Sequence, residues 1–558
     1  MKKKIASLVG LLVALGILAK GSNSILPLVI QRIIDSLASG KIIISHWLLV
    51  VVAVSILIII SDVLGGYFAV KLSNLLKQNY RIKILSSLYH RKIGDFYKNS
   101  TAEYVSLLNN NIKLVVENYY ITLLTIFKCS ITLCVSIASL IYLDYRLMLV
   151  VILSTVLPLL NPLLFGKKLN QNNNELNKCL KNFNSSLTDF LGGYLFAKVN
   201  QFKNRILNHT VDAGMHVNRA EEKLARTNGL AGIFSGFLGY GGYVLIIGYG
   251  VSLVNRQIIT IGALFAAIQI ADNIAPPMTA FSHLINMVKS MKGMKAELDE
   301  LANSVVDKIE KKQTLKKVSN MKLVDANLTI DNRIILQNVN FKFEEGKKYM
   351  IVGRSGSGKS SLLKLLSGIY EPTEGNVFIN DIPWEKINED SFFQQVGIVE
   401  QESFIMNDTL ERNIFLDSNA DKKAKDYVEG VLNLKTLFEH VSWDMNCVNG
   451  GYGLSGGEKQ RIALVRMMIK GQHVLILDEP TSAMDNQTRR EFEEWILQQQ
   501  NNMVINVSHH WELDLLKQYD AIVVMENGTI KRVGTPIEIL EDVELGDYFR
   551  KENREECY

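Results

Sequence analysis

The feature that most constrains this chain is a set of long apolar segments in its first half. They run over residues 5–33, 46–70, 119–143, 146–167, 230–254 and 259–288, with nothing comparable after Met294. A helix of about 20 apolar residues crosses the hydrocarbon core of a bilayer. In lipid the backbone polar groups have no water to bond, so uninterrupted segments of this length read as six spanning helices. Basic residues sort the connections. Lys77, Arg81, Lys83, Arg91, Lys92 and Lys98 lie between the second and third segments, and Lys167, Lys168, Lys178, Lys181, Lys198 and Lys203 between the fourth and fifth. Those two connections are expected on the cytoplasmic side, and the short, nearly uncharged ones outside. No proline falls between Pro27 and Pro158 or between Pro162 and Pro276, so both long connections can continue as helical stalks. Asn99-Ser100-Thr101 offers capping chemistry at one tip, which is either a contact with the second half of the chain or a solvated turn.

Met1-Lys2-Lys3-Lys4 ahead of an apolar run has the outline of a secretory signal, but the run resumes after Lys20 through Ile25 to Ile30 and no A-x-A site closes a shorter one. The first segment is therefore expected to be a span with its basic tip in the cytoplasm. A net charge of +5 with 21% charged residues over 558 positions suits a multidomain membrane protein and argues against a nucleic-acid partner. The five cysteines include no CxxC pair, which points away from a zinc site or a disulfide framework.

A charged stretch, Lys292 to Lys317, leads into short strands and amphipathic helices, the pattern of an α/β core with a parallel sheet. Here Gly353-Arg354-Ser355-Gly356-Ser357-Gly358-Lys359-Ser360 matches G-x-x-x-x-G-K-[ST], after the strand Tyr349 to Val352 and before a helix from Ser361 to Leu366. Glycines let backbone N–H groups approach phosphates, the helix N-terminus favours negative charge, Lys359 reaches the β and γ phosphates, and Ser360 can hold Mg²⁺. The apolar run His473 to Leu477 ends in Asp478-Glu479, two carboxylates at the carboxyl end of a strand, where ligands bind in such sheets. Asp478 is expected to hold Mg²⁺ and Glu479 to orient the attacking water, because phosphoryl transfer is chiefly positioning and charge stabilisation.

Leu454-Ser455-Gly456-Gly457-Glu458, about twenty residues before Asp478, resembles the signature of ATP-binding cassette (ABC) transporters. Ser455-Gly456-Gly457 would open a helix from Glu458 to Ile469 with a bare, positive end. The resemblance implies that this end meets the γ-phosphate of ATP held by an opposite subunit. Gln401 is similar to the Q-loop glutamine, which the resemblance implies contacts Mg²⁺ and the attacking water, Ser482-Ala483-Met484-Asp485 to the D-loop, and His509 to the switch histidine at the γ-phosphate. Ile25 to Leu37 and Phe96 to Val105 also resemble the half-size exporters. Taken over the chain, the resemblance implies a six-span α-helical membrane domain at 1–300, a linker at 301–320 and an α/β P-loop ATPase domain at 321–558. It also implies ATP and Mg²⁺ as cofactors, and a homodimer or a pairing with a homologous half-transporter. The place is the bacterial cytoplasmic membrane, with the ATPase in the cytoplasm and lipid and a transported substrate as the remaining partners.

The sequence departs from that pattern at Ile330, where an aromatic residue usually stacks on adenine, so weak base stacking and little preference over GTP are expected. His510 replaces the usual arginine, and His509 is taken as the working histidine. Within the apolar segments, Lys128 either faces a cavity or snorkels to the interface. Asp272 and Asn273, beside a Pro276-Pro277 pair expected to unwind the helix, are candidate substrate contacts, because charge at a helix centre costs about 2.5 to 3.5 kcal/mol. The chain starts at the first span, so it is expected to carry no cargo-trimming peptidase domain ahead of it. Export of a peptide, lipid or amphipathic molecule is the leading function. Import on the same fold and a non-transport ATPase are the alternatives.

Overall fold

The computed structural model describes residues 2–39, 44–303, 312–330, 332–401, 403–416, 422–432, 434–438, 441–448, 450–451, 453–508 and 512–542. The chain divides into two compact units, Met1–Ser87 with Ala102–Ser304, and Leu88–Thr101 with Val305–Tyr558.

The first unit is helical: α1 (Lys2–Ala38), α2 (Ile44–Tyr89), α3 (Thr101–Leu143), α4 (Tyr145–Val156), α5 (Asn161–Gly192), α6 (Lys203–Asn255), α7 (Ile261–Ser290) and α8 (Lys292–Asn303). Four helical stretches, Lys3–Ala38, His46–Tyr89, Thr101–Leu143 and Lys203–Asn255, are long and apolar enough to cross a membrane. The fourth expected segment is divided by a 3-10 turn over Leu157–Leu160 that contains Pro158, which leaves α4 as a shorter apolar helix. The sixth, α7, is continuous, but Gln269, Asp272, Asn273 and the two prolines dilute its apolar character. Against expectation, the Pro276-Pro277 pair does not unwind it: α7 stays helical through both residues. The stalk expectation holds in helical terms, since α2 continues to Tyr89 and α5 and α6 extend far beyond their apolar parts. Two π-helical stretches in α3, Leu107–Asn111 and Val116–Ile121, carried no sequence signal.

Small residues set the helix approach in this unit. A Cβ on Gly242 of α6 would lie 2.9 Å from the Ser154 Cβ of α4, and one on Gly250 would lie 2.2 Å from Leu264 of α7. Around these approaches Leu140, Leu147, Val151, Ile246, Leu253 and Ile270 form a buried core.

The second unit is built on strands β1 (Asn320–Ile330), β2 (Arg333–Glu344), β3 (Lys348–Val352), β4 (Glu374–Ile379), β5 (Ile382–Pro383), β6 (Val396–Val399), β7 (Val474–Asp478), β8 (Met503–Val507), β9 (Ala521–Glu526) and β10 (Thr529–Gly534). One sheet has the order β10-β9-β3-β8-β7-β6, parallel from β9 to β6 with β10 antiparallel at its edge. Strands β3, β7 and β8 are almost wholly buried and, apart from Lys348, Asp478 and Asn506, apolar, as expected for parallel strands covered on both faces. A smaller antiparallel sheet, β2-β1-β4-β5, packs into the same core. The parallel order puts the carboxyl ends of β3, β7 and β6 along one edge of the sheet, β7 beside β6 and β3 one strand away across β8, and these three ends carry the P-loop, Asp478-Glu479 and Gln401.

The segment Leu88–Thr101 packs with this second unit although it lies between α2 and α3 in sequence. Its short helix, Ile93–Phe96, sits so close that a Cβ on Gly94 would be 3.2 Å from the Ile369 carbonyl oxygen. Beside it Lys92 Nζ pairs with Glu371 Oε1 at 3.0 Å.

Candidate functional site

Strand β3 delivers Gly353, whose φ is 157° and where a Cβ would lie 2.3 Å from the Met525 carbonyl oxygen. Gly358 has φ 101°, and a Cβ there would meet Leu336 Cδ2 at 2.8 Å. Neither position admits a side chain, so the loop is held tight by β9 and β2 neighbours. The helix after it, α9 (Lys359–Leu366), starts two residues earlier than expected. Lys359 is buried, and its ammonium folds back to donate to the carbonyl oxygens of Gly353 at 2.7 Å and Arg354 at 3.2 Å. The Ser357 hydroxyl is buried and has no hydrogen-bond partner among the described residues, and a Cβ on Gly356 would meet nothing within 4 Å. An unpaired buried hydroxyl and a concave backbone loop suit an oxyanion ligand. Ser355 completes the turn, and Ser361 lies in the first turn of α9.

Asp478 is the last residue of β7. Its Oδ1 accepts a hydrogen bond from Ser360 Oγ at 3.1 Å, which brings two of the three expected Mg²⁺ ligands together. Burial pushes the Asp478 carboxyl above its ordinary range and Glu479 adds to this, while the Ser360 hydrogen bond, Lys364 and Lys359 oppose it. Glu479 sits at φ 47°, a left-handed conformation unusual for a residue with a side chain. Its N–H donates to the Val507 carbonyl at 2.9 Å, and its Oε2 accepts from Gln401 Nε2 at 3.1 Å. Ser360, Lys364, Glu400, Gln401 and Asp478 line one cleft of about 290 Å³. The oxygen donors collected here, a hydroxyl, a carboxylate and an amide, are the hard ligands Mg²⁺ takes.

The signature segment differs from expectation in one respect. Its helix, α10 (Gly456–Lys470), begins at Gly456, and its end is not bare. Ser455 is the N-cap of a capping box in which the Ser455 hydroxyl accepts from the Glu458 N–H at 3.3 Å and the Glu458 carboxylate accepts from the Ser455 N–H at 2.6 Å. A Cβ on Gly457 would lie 2.6 Å from the Ala483 carbonyl oxygen, whereas one on Gly456 would make only ordinary contact. Asp485 caps α11 (Asn486–Gln498), accepting from the Thr488 N–H at 3.0 Å and hydroxyl at 2.8 Å, and these bonds hold its carboxyl below the usual range.

One residue escaped sequence reasoning. Gln460 bonds the Ser482 hydroxyl at 2.9 Å and the Ala483 N–H at 2.9 Å, joining the signature helix to the D-loop. A glutamine one turn into an amphipathic helix carries no distinctive signal. Ile330 lies at the end of β1, half-buried against the sheet core. His509 and His510 fall outside the described residues.

In the helical unit, Asn273 of α7 accepts from Asn23 of α1 at 3.2 Å, and its neighbour Asp272 is exposed. Lys128 of α3 lies along Gly16 of α1, with its ammonium beside Gly65 of α2. Asp272 and Asn273 therefore share the level of Asn23, while Lys128 lies about two helical turns away at the level of Gly16.

A P-loop on a parallel sheet, with adjacent carboxylates and a glutamine at neighbouring strand ends, defines the class of P-loop ATPases. The comparisons narrow the class. Residues 336–482 match the ABC transporter family model and residues 9–272 match the ABC transporter transmembrane region. The chain is 26% identical over 534 residues to the microcin-J25 export ATP-binding/permease protein of Escherichia coli, covering 92% of this chain and 90% of that one. It is 24% identical to the ATP-dependent lipid A-core flippase of Ralstonia nicotianae, over 97% of this chain and 93% of the other. The fold matches a solved bacterial Atm1-family ABC exporter with ATP bound, at a TM-score of 0.80 and 20% identity, over 99% of this chain and 98% of that one. The chain belongs to the ABC transporters, with the membrane region and the ATPase in one polypeptide. It is a membrane protein of exporter type that couples ATP hydrolysis to transport.

Proposed function

We propose that the chain exports a peptide, a lipid or an amphipathic small molecule across the bacterial cytoplasmic membrane, working as a homodimer. Residues 1–300 supply six spans, with α4 and the start of α5 acting as one of them and α7 as another. Residues 301–320 link them to an ATPase domain at 321–558. Each ATP lies between the P-loop of one chain, Gly353 to Ser361, and the Ser455–Glu458 helix tip and Asp485 loop of its mate. Ile330 abuts the base.

In this reading Lys359 turns from the Gly353 and Arg354 carbonyls to the β and γ phosphates. Ser360, Asp478 and Gln401 hold Mg²⁺, which when bound offsets phosphate charge. Glu479, oriented by Gln401, positions the attacking water, and His509 contacts the γ-phosphate. Asp272, Asn273 and Lys128 contact cargo. The observation that carries this reading is the Ser360–Asp478 bond beside the Gln401–Glu479 bond in one cleft, since that pairing sets a cation site next to a water-positioning carboxylate. The test is transport in inside-out membrane vesicles with a labelled amphipathic peptide or lipid. ATP-dependent accumulation that disappears in Glu479→Gln is expected. Accumulation only in right-side-out vesicles would point to import and overturn the direction.

A further inference from the structure

Contacts between the membrane helices fix their register. Along α1, Ser24 bonds Ser136 of α3, Lys20 pairs with Asp62 of α2 at 3.2 Å, and Gly16 packs against Lys128 of α3. These are rungs one turn of α1 apart, about 6 Å each. At the Gly16 rung, a Cβ would stand 3.3 Å from Lys128 Cγ, so the absence of a side chain makes room for the lysine stem. The Lys128 ammonium then comes within 3.9 Å of where a Cβ on Gly65 would be, one turn along α2 from Asp62. Two lysines and one aspartate from three helices thus lie within about one helical turn of one another inside apolar segments, and the single carboxylate is engaged by Lys20. Among the described residues no carboxylate pairs with Lys128. The other acidic group of these segments, Asp272, lies at the level of Asn23, about 10 Å along the axis.

An ammonium held in an apolar segment without a counter-ion is costly, and such groups face a partner or a water-filled path. Here Gly16 clears the space for its stem, and the formal charges of the three groups sum to +1. We infer that Lys128, flanked by the Lys20–Asp62 pair, is the anion-binding subsite of the transport path and that the cargo carries an acidic group, a carboxylate or a phosphate. This inference rests on the export reading and adds the charge of its substrate.

The test uses the full-length protein in nanodiscs of zwitterionic lipid, with three probes of one chain length: dodecyl phosphate, N-dodecanoylglycine and dodecyltrimethylammonium. Binding is read by calorimetry. Wild type should bind the two acidic probes, and the stronger of them identifies the source as phosphorylated lipid or as a peptide or acyl carboxylate. Lys128→Met should weaken acidic probes at least about tenfold, or about 1.4 kcal/mol, and leave the cationic probe unchanged. Lys128→Arg should restore the acidic probes. Gly16→Val, which crowds the stem from another helix, should reproduce the loss without altering the lysine. Equal binding of acidic probes by wild type and Lys128→Met would overturn the subsite. Failure of the export reading would look different: binding would follow Lys128 while vesicles showed no ATP-dependent accumulation.

Discussion

At the scale of single residues, Glu479 pairs a strained backbone with a directed side chain. Its φ of 47° and its bond from Gln401 hold the carboxylate at the strand end, and such strain persists only where the surroundings enforce it. Glu479→Gln keeps shape and hydrogen bonding but removes the charge, so hydrolysis should fall at least about 100-fold while ATP binding persists, as measured by nucleotide retention. Ile330→Tyr would present an aromatic face to the base, and ATP should bind about fivefold more tightly, near 1 kcal/mol. Unchanged affinity in a competition assay would show that the base does not lie against this position. Glu493 on α11 is buried, its Oε1 has no partner among the described residues, and burial foremost raises its pKa from 4.5 to about 7, with Glu512 and Asp514 adding to the rise and Arg489 and Arg490 opposing it. The folded chain therefore binds the proton more tightly than the unfolded one. Stability falls as pH rises from about 4.5 to about 7, by no more than about 3 kcal/mol. Glu493→Gln should raise the melting temperature at pH 8 and leave it nearly unchanged at pH 5.

At the scale of elements, the ATPase strands were legible because their signals are local. A buried apolar run that ends in Asp478-Glu479, or in a glycine-rich loop, announces a parallel strand and its ligand end together. The helical unit was legible by length but not by contact. Lys20 looked like a mere interruption of an apolar run, and only the register of α1 against α2 and α3 revealed its pairing with Asp62. The π-helical turns of α3 depend on hydrogen-bond choices among near-equal alternatives, which residue type does not settle, whereas the capping box of α10 stood in the Ser455-x-x-Glu458 spacing and was passed over when that end was read as bare. The stalk tip was expected to be either a contact with the second half of the chain or a solvated turn, and the helix Ile93–Phe96 just before it packs with the second unit through Gly94. Gly94→Val would press a branched side chain against the Ile369 carbonyl and lift that helix. Basal hydrolysis should stay near wild type while most of the cargo-stimulated increment disappears. Full stimulation in this variant would show that the contact transmits nothing.

At the scale of the whole molecule, the proposal of two sites shared across a dimer makes a demand that one chain cannot meet. The proposal sets the signature tip of one chain against the P-loop of the other, so a complete site is expected to need a second copy. Gly456 is the position to alter, because a Cβ there makes only ordinary contact, 3.6 Å from Ala483 Cβ, whereas Gly457 has no such room. Aspartate at the first turn of a helix is well tolerated, so Gly456→Asp should fold, yet it places negative charge where the partner's γ-phosphate must approach. Lys359→Ala disables the P-loop of its own chain and leaves its signature intact. Each variant alone should hydrolyse ATP at background rate. Co-expressed, they form hybrids in which the Gly456→Asp chain supplies the working P-loop and the Lys359→Ala chain the working signature. Random pairing makes half of the dimers hybrid, each with one sound site of two, so roughly a quarter of wild-type activity should return. Hydrolysis at the wild-type rate by Gly456→Asp alone would show that the helix tip does not serve the phosphate of a partner, and the shared-site arrangement would fall with it.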